Sequence, residues 1–522
     1  MSQKRIPLTL VKQGKNGIKG LVFSRVGIIA LMLIVQFGLL FFGFYKFESL
    51  LPHVWGGSII LTSAAVIYII NCPMSPNAKV TWLVLIAIVP VFGSLLFVYT
   101  KSDFGHRALK RRINTLTREN KNKILQNPAT LRSLKEKDPR IASLAEYISR
   151  SGCYPVFDKT EVTYLPTGED KLKALLEELE KAEKFIFLEY FIIDEGRMWG
   201  DVLEVLERKV KQGVDVRVIY DGTCEFTTLP HDFPKRLKKL GIHCKVFAPI
   251  TPFVSTHYNY RDHRKIVVID GKIAFCGGIN LADEYINEKQ KYGHWKDTAV
   301  MLKGDAVESF TLMFLQMWAI EGKRQSYDSY LSSFSPSEVG DGYVIPFADC
   351  PVDNDKTGER VYMDILNRAT DYVHIMSPYL VIDAEMETAI KFAAERGVDV
   401  SLILPGIPDK KGAWALAKTH YRSLLDSGVK IYEYTPGFVH AKVFVADDRE
   451  AVVGTINLDY RSLYHHFECA VYMAYTPCIQ DIEKDFSYTL DKCRKVTYDT
   501  VKREKLSIKI RGMLLKIIAP LM

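Results

Sequence analysis

Between His263 and Asn280 the chain reads H-R-K-I-V-V-I-D-G-K-I-A-F-C-G-G-I-N. His263 and Lys265 stand two apart, so on an extended strand their side chains leave the same face. Ile266 to Ile269 is an apolar run suited to a buried strand, and Asp270-Gly271 reads as a tight turn into a second strand, Lys272–Cys276. Gly277-Gly278 permits close backbone approach, and Asn280 follows as donor and acceptor.

The pattern returns downstream. His440, Lys442, Asp447, Gly454 and Asn457 keep every internal interval of His263, Lys265, Asp270, Gly277 and Asn280. A lone H-x-K carries little information, but two copies of H-x-K-x4-D-x6-G-x2-N in one chain do not arise easily by chance. The flanks repeat as well: QGVDVRVIYDG (Gln212–Gly222) matches RGVDVSLILPG (Arg396–Gly406), and GIHCKVFAP (Gly241–Pro249) matches GVKIYEYTP (Gly428–Pro436). The order helix, strand, helix, strand, hairpin is read in both halves, with helices over Leu172–Ala182 and Val202–Val210 and strands over Lys184–Ile193 and Val214–Tyr220. That alternation implies an α/β fold of two pseudo-symmetric domains with mixed sheets. Pro249 stands fourteen positions before His263 and Pro436 four before His440, so the first half carries an insertion at about 250–259. Its aromatic residues Phe253 and Tyr258, with Tyr260 beside them, suit either a lipid-facing lip or a loop packed on its own domain.

Before the repeats lie three apolar stretches, at about 26–45, 54–70 and 80–99, within a membrane-anchoring region 1–100. The first is too long for a signal peptide and reads as a retained anchor. Both the N-terminus and the segment after the third stretch are basic, which places both on the cytoplasmic side and demands an even number of crossings. Either one stretch is re-entrant or interfacial, or the N-terminus overrides its charge. A charged helical linker, 101–150, is expected to skirt the membrane surface, with the catalytic halves at 151–325 and 340–497 beyond it. Residues 502–522 interleave Lys and Arg with Leu506, Ile510, Met513, Leu514, Ile517 and Ile518. That spacing fits an interfacial membrane helix or one that caps the soluble core. A net charge of +8 over 522 residues favours an anionic partner, and beside apolar stretches that partner is lipid rather than nucleic acid. Nine scattered cysteines without a C-x2-C pair read as reduced thiols, not a disulfide or zinc framework.

The paired motif resembles the HKD signature of the phospholipase D superfamily. Within it, the W-L-V-L-I-A-I-V-P-V-F-G-S-L-L-F-V-Y stretch (Trp82–Tyr99), Y-R-D-H-R-K before the first motif, G-G-I-N-L-A-D-E-Y after it and the basic amphipathic tail are similar to bacterial cardiolipin synthases, over about residues 56–522. The resemblance implies transfer of a phosphatidyl group between two phosphatidylglycerol molecules, giving cardiolipin and glycerol through a phosphohistidine. The alternative acceptor is water, as in a hydrolytic phospholipase D. It also implies a multi-pass cell-membrane protein with cytoplasmic catalytic domains and no cofactor or metal.

In that scheme His263, Lys265 and Asp270 with His440, Lys442 and Asp447 form the catalytic set, His263 attacking phosphorus and His440 serving as acid and then base. Lys265 and Lys442 neutralise the phosphate, and Asn280 and Asn457 donate to it. Asp270 and Asp447 open hairpin turns, where a structural role is the stronger reading, although the superfamily motif counts them with the site. Each histidine needs an acceptor on its far ring nitrogen. Asp297 in H-W-K-D and Glu468 in H-H-F-E, each placed after an asparagine and at the start of an apolar strand, are read as those orienters. His465 and His466 break the spacing of a metal site and are read as rim residues.

Overall fold

The computed structural model describes residues 57–101, 104–120, 123–249, 259–320, 327–331, 340–353 and 355–521, with a few helical positions between 34 and 46. The stretch 26–45 and the insertion at 250–258 therefore lie largely or wholly outside the described residues.

In the first half, Lys265–Ile269 (β5) and Ile273–Gly277 (β6) form the antiparallel hairpin, with Asp270 and Gly271 both in the left-handed region at φ 55° and 69°. That is the backbone a two-residue primed turn requires. Around it lie Thr160–Leu165 (β1), Phe185–Tyr190 (β2), Asp215–Asp221 (β3), His243–Phe247 (β4) and Ala299–Gly304 (β7), in the spatial order β1-β7-β6-β5-β2-β3-β4. The strands β2, β3 and β4 run parallel and the remainder pair antiparallel, so the sheet is mixed. The second half repeats this order. Tyr343–Asp349 (β8), Tyr372–Met376 (β9), Asp399–Pro405 (β10), Lys430–Tyr434 (β11), Val443–Ala446 (β12), Glu450–Gly454 (β13) and His466–Ala474 (β14) run β8-β14-β13-β12-β9-β10-β11.

Both faces of these sheets are covered, which is why their strands read as continuous apolar runs. On β2 and β5, Phe187, Ile266 and Val268 enter the core shared with the second half, whereas Ile186, Leu188, Val267 and Ile269 enter the separate core of the first.

The helices before the sheets depart from the sequence reading. Gly57–Asn71 (α1) has 15 residues, and the third apolar stretch is two helices, Pro76–Ile88 (α2) and Pro90–Lys101 (α3). Val89 leaves the helical region (φ −135°, ψ 82°), as the residue before a proline tends to. The chain folds back there so tightly that a Cβ on Gly93 would stand 3.0 Å from the Ile86 backbone. Among the described residues no helix is long and apolar enough to cross a membrane. Residues 104–152 form Phe104–Asn120 (α4), Pro128–Lys137 (α5) and Pro139–Gly152 (α6). One face of this segment packs on the body, with Leu116, Leu134, Ile141, Leu144 and Ile148 buried in the shared core. Gly168–Leu179 (α7) and Arg197–Lys211 (α8) cover the outer face of the first sheet, and Val307–Ile320 (α9) is buried between the halves, Phe314 stacked on Phe187. The tail helix Leu506–Ile518 (α11) lies along Lys411–Asp426 (α10), where a Cβ on Gly512 would meet the Ala415 carbonyl at 2.4 Å. Its other side leaves Leu506, Met513 and Leu514 exposed. The tail thus both caps the body and presents an apolar face.

Asp270 and Asp447 belong to the scaffold. Asp270 accepts backbone N–H bonds from Glu183, Lys184 and Phe185 at 2.7–2.8 Å, and Asp447 accepts them from Thr370, Asp371 and Tyr372 at 2.9 Å. Each staples its hairpin turn to the start of the neighbouring central strand. Seven positions of extended chain, roughly 20 Å, set each apart from its histidine, in keeping with the structural role read for the hairpin turns. Asp270→Asn should lower stability by about 2–4 kcal/mol, since a charged acceptor of three donors is lost. Turnover per folded molecule should stay close to that of the parent, as checked by urea unfolding together with an assay on the folded fraction.

Candidate active site

Two short parallel strand pairs cross between the halves. Arg261–Asp262 of the first half pairs with His466–Phe467 of the second, and Gly437–Val439 of the second pairs with His294–Lys296 of the first. The His263 N–H then donates to the Phe467 carbonyl at 2.9 Å, and the His440 N–H to the Lys296 carbonyl at 2.6 Å. Each pairing ends one residue before a histidine on one strand and before a carboxylate on the other.

The consequence is reciprocal. His263 Nδ1 lies 2.9 and 3.0 Å from the Glu468 carboxylate oxygens, and His440 Nδ1 lies 2.6 Å from Asp297. Each histidine is held by the other half's acid, and all four residues are buried. With Nδ1 donating to a carboxylate, Nε2 of each ring keeps its lone pair. Close approach of the acid-bearing strands depends on glycine: a Cβ on Gly278 would fall 2.1 Å from Asp297 Oδ1, and one on Gly277 2.4 Å from the Thr298 carbonyl. In the second half Thr455 takes the place of Gly278 and its hydroxyl donates to Glu468.

The lysines lie beside the rings. Lys265 Nζ donates to the His263 carbonyl at 2.5 Å, and Lys442 Nζ donates to the His440 carbonyl and stands 2.8 Å from His440 Nδ1. That nitrogen cannot donate to Asp297 and accept from Lys442 at once. The closer buried carboxylate holds the proton on Nδ1, so the lysine is anchored by the carbonyl. Asn280 is committed within its own half, accepting from the Ile192 N–H at 3.0 Å and donating to Tyr285 at 2.7 Å. Asn457 is buried, and its Oδ1 has no partner among the described residues.

Burial dominates the electrostatics. It pushes His263 well below the usual imidazole range, with Lys265, His466, Lys442 and His440 adding to the effect. Burial and then Lys442 bring His440 down to about 4, against Asp297. Burial also brings Lys265 to about 8 and Lys442 to about 7, and raises Glu468 well above the ordinary carboxylate range. Both imidazoles are therefore neutral near pH 7.

Aromatic rings close the site. Trp295, Tyr285 and Phe438 surround His440 at centroid distances of 5.3–5.7 Å, and Phe191 and His466 flank His263 at 4.9 and 5.3 Å. His466 is accordingly buried against a motif histidine, which corrects its reading as a rim residue. It and Trp295 stand two residues before Glu468 and Asp297, an offset visible in H-H-F-E and H-W-K-D once those acids are aligned. Among the described residues, His263, His466 and Glu468 are the one group whose donor atoms, within 4.8 Å of one another, could hold a metal ion.

The model of the family described as "Cardiolipin synthase, PLD-like domain" matches residues 175–318 and 362–490, more than half of the chain. The chain belongs to this family. A cardiolipin synthase of Geobacillus kaustophilus is 32% identical over 489 residues, covering 90% of this chain and 95% of the relative. An uncharacterized protein of Streptococcus mutans is 57% identical over 458 residues, covering 88% of this chain and 99% of that protein. Phosphatidylserine synthase of Haemophilus influenzae shares the fold, with a TM-score of 0.55 at 15% identity over 73% of this chain and 98% of its own. Membership in the family makes the chain a phospholipid phosphatidyltransferase.

The lysines give this pocket a pH-dependent grip. A short-chain phosphodiester keeps one negative charge across neutral pH, while Lys265 and Lys442 gain theirs as pH falls through about 8 and about 7. Inhibition by such a diester should strengthen from pH 9 to pH 6.5, roughly tenfold per lysine charged. Lys442→Met should flatten the lower part of that profile, as read from inhibition constants across the range.

Proposed function

We propose that this enzyme makes cardiolipin by transferring a phosphatidyl group from one phosphatidylglycerol to the hydroxyl of another, with His263 as the covalent carrier. The observation that supports it best is the reciprocal pairing of two neutral imidazoles with carboxylates at Nδ1, which leaves Nε2 of each free for chemistry. The lone pair of His263 Nε2 attacks phosphorus, and the bond to the glycerol oxygen breaks. That oxygen takes a proton from His440, which the arriving phosphate anion helps to protonate by offsetting the nearby lysine charges. The hydroxyl of the second lipid then gives a proton back to His440 and attacks phosphorus, and the P–N bond breaks. Lys265 and Lys442 neutralise the non-bridging oxygens, Asn457 contributes its amide, and Glu468 and Asp297 hold the rings. Choosing His263 over His440 as nucleophile follows the superfamily habit of using the first motif.

The setting we propose is the cell membrane, with the catalytic halves cytoplasmic. If 26–45 and 54–70 cross while the α2–α3 hairpin stays at the surface, both basic flanks fall on one side, as the charge rule asks. The exposed face of α11, beside α2 through the Thr81 hydroxyl bond to the Ile517 carbonyl at 2.7 Å, would rest in the same interface.

Labelled phosphatidylglycerol in mixed micelles tests the reaction: cardiolipin and glycerol are the expected products, and phosphatidic acid with glycerol would make the enzyme a hydrolase. With a p-nitrophenyl phosphodiester, which needs little acid help, His440→Ala should still form an adduct on His263 and then stall, whereas His263→Ala should form none. Peptide mapping of the phosphoryl mass reads the outcome, and an adduct on His440 would reverse the two roles. In a synthetic peptide of residues 502–522, Leu506→Glu with Leu514→Glu should weaken binding to phosphatidylglycerol vesicles by about tenfold or more in flotation, since two apolar side chains leave the interface.

A further inference from the structure

The two arms of the site differ in the ring that covers each histidine. His440 is covered by Trp295, which offers no metal-binding lone pair. His263 is covered by His466, and with Glu468 these residues form a compact set of two imidazoles and a carboxylate, the donor chemistry of zinc-type dications. Two of the distances are known: His263 Nδ1 to Glu468 is 2.9 Å, and His466 Nδ1 to the same Oε1 is 3.5 Å. Ligand atoms around a tetrahedral zinc stand about 3.4 Å apart, so closure by roughly an ångström suffices. A second observation points the same way. His466 is buried, yet its Nδ1 has no hydrogen-bond partner among the described residues, and a buried polar atom of that kind costs stability unless something fills the space beside it.

We propose that His263, His466 and Glu468 form a seat for a transition-metal dication of the zinc class, and that a metal seated there silences His263. The seated metal would take the Glu468 oxygen and the Nδ1 position that orient the ring. It would also place a positive charge where the nucleophile needs an undisturbed lone pair. The silencing half of this proposal rests on His263 acting as nucleophile, and the binding half does not. Local charge limits the affinity: Lys265 lies beside the set, and Arg461 donates from Nε to His466 Nε2 at 3.1 Å. That bond favours the tautomer with the proton on Nδ1, so Arg461 competes with a metal for the ring.

The test uses the full-length chain in detergent, stripped with a chelator and titrated with Co²⁺ alone, whose visible absorption reports tetrahedral nitrogen and oxygen ligation without any turnover. We expect one equivalent bound, displaced by Zn²⁺, with affinity at least tenfold weaker in His466→Asn and stronger in Arg461→Gln. Thermal unfolding confirms that each variant is folded. Failure of Co²⁺ to bind, or equal affinity in the parent and both variants, would overturn the seat. In the transferase assay Zn²⁺ should inhibit the parent at the concentration that displaces Co²⁺, and the residual turnover of His466→Asn should not respond at that concentration. Binding without inhibition would overturn the silencing. Because Co²⁺ binding is read without substrate, a failure of the proposed transfer reaction remains separate from a failure of the metal seat.

Discussion

Two three-residue-or-shorter parallel pairings, Arg261–Asp262 with His466–Phe467 and Gly437–Val439 with His294–Lys296, are the constraint on which the site depends. They fasten the backbone before each histidine to the backbone before the other half's carboxylate. Neither half can orient its own imidazole alone, because the acceptor it needs arrives on the opposite strand. Leaving one partner of such a buried hydrogen bond unsatisfied costs roughly 1–3 kcal/mol, a sizeable share of a domain's net stability. The orienting contacts therefore exist only in the packed pair, with α9 buried between the halves.

Burying His263, His440, Lys265, Lys442 and Glu468 together shifts their proton affinities, and burial is the largest cause in each case. Imidazoles lose protons, ammoniums approach neutrality and Glu468 resists ionisation. Such a pocket is poised for an anion. A phosphodiester brings the negative charge that restores the lysines to their ammonium form and lets one imidazole carry a proton. Under the proposed reaction, binding, attack and protonation of a phosphodiester would be linked events.

Much of this was legible in the sequence, and the part that was not has a physical reason. The equal intervals from His263 to Asn280 and from His440 to Asn457 encode the hairpins, and the matching flanks encode the repeated sheet order, because strand and turn chemistry are local. Asp297 and Glu468 could be named as orienters from their place after the asparagines. Which histidine each one holds could not, since the bonds span 143 and 205 residues and no local pattern records them. The third apolar stretch reads as one span by hydropathy, which counts Val89 and Pro90 as ordinary residues, whereas the backbone before Pro90 turns the chain back. Asp270 and Asp447 illustrate the reverse case. Their interval from the histidine is fixed because the strand between has a set length, and a fixed interval alone does not separate a reacting group from a staple.

Near-symmetry of the motif does not make the two histidines equivalent. Around Asp297 the first half places Gly278, so a short acid approaches through empty space. Around Glu468 the second half places Thr455, whose hydroxyl binds the carboxylate of a longer acid. The same nitrogen is reached in both arms by different combinations of side-chain length and backbone clearance. Lys442 comes within 2.8 Å of the His440 ring, whereas Lys265 reaches the His263 carbonyl, so the two imidazoles meet different local fields. His440 is also sealed by an indole that cannot titrate, and His263 by a third imidazole. The two copies of the motif thus differ in their neighbours and in the charges that surround each ring. In the proposed transfer one ring would hold phosphorus while the other moves a proton, and these unlike surroundings are what distinguish the two rings.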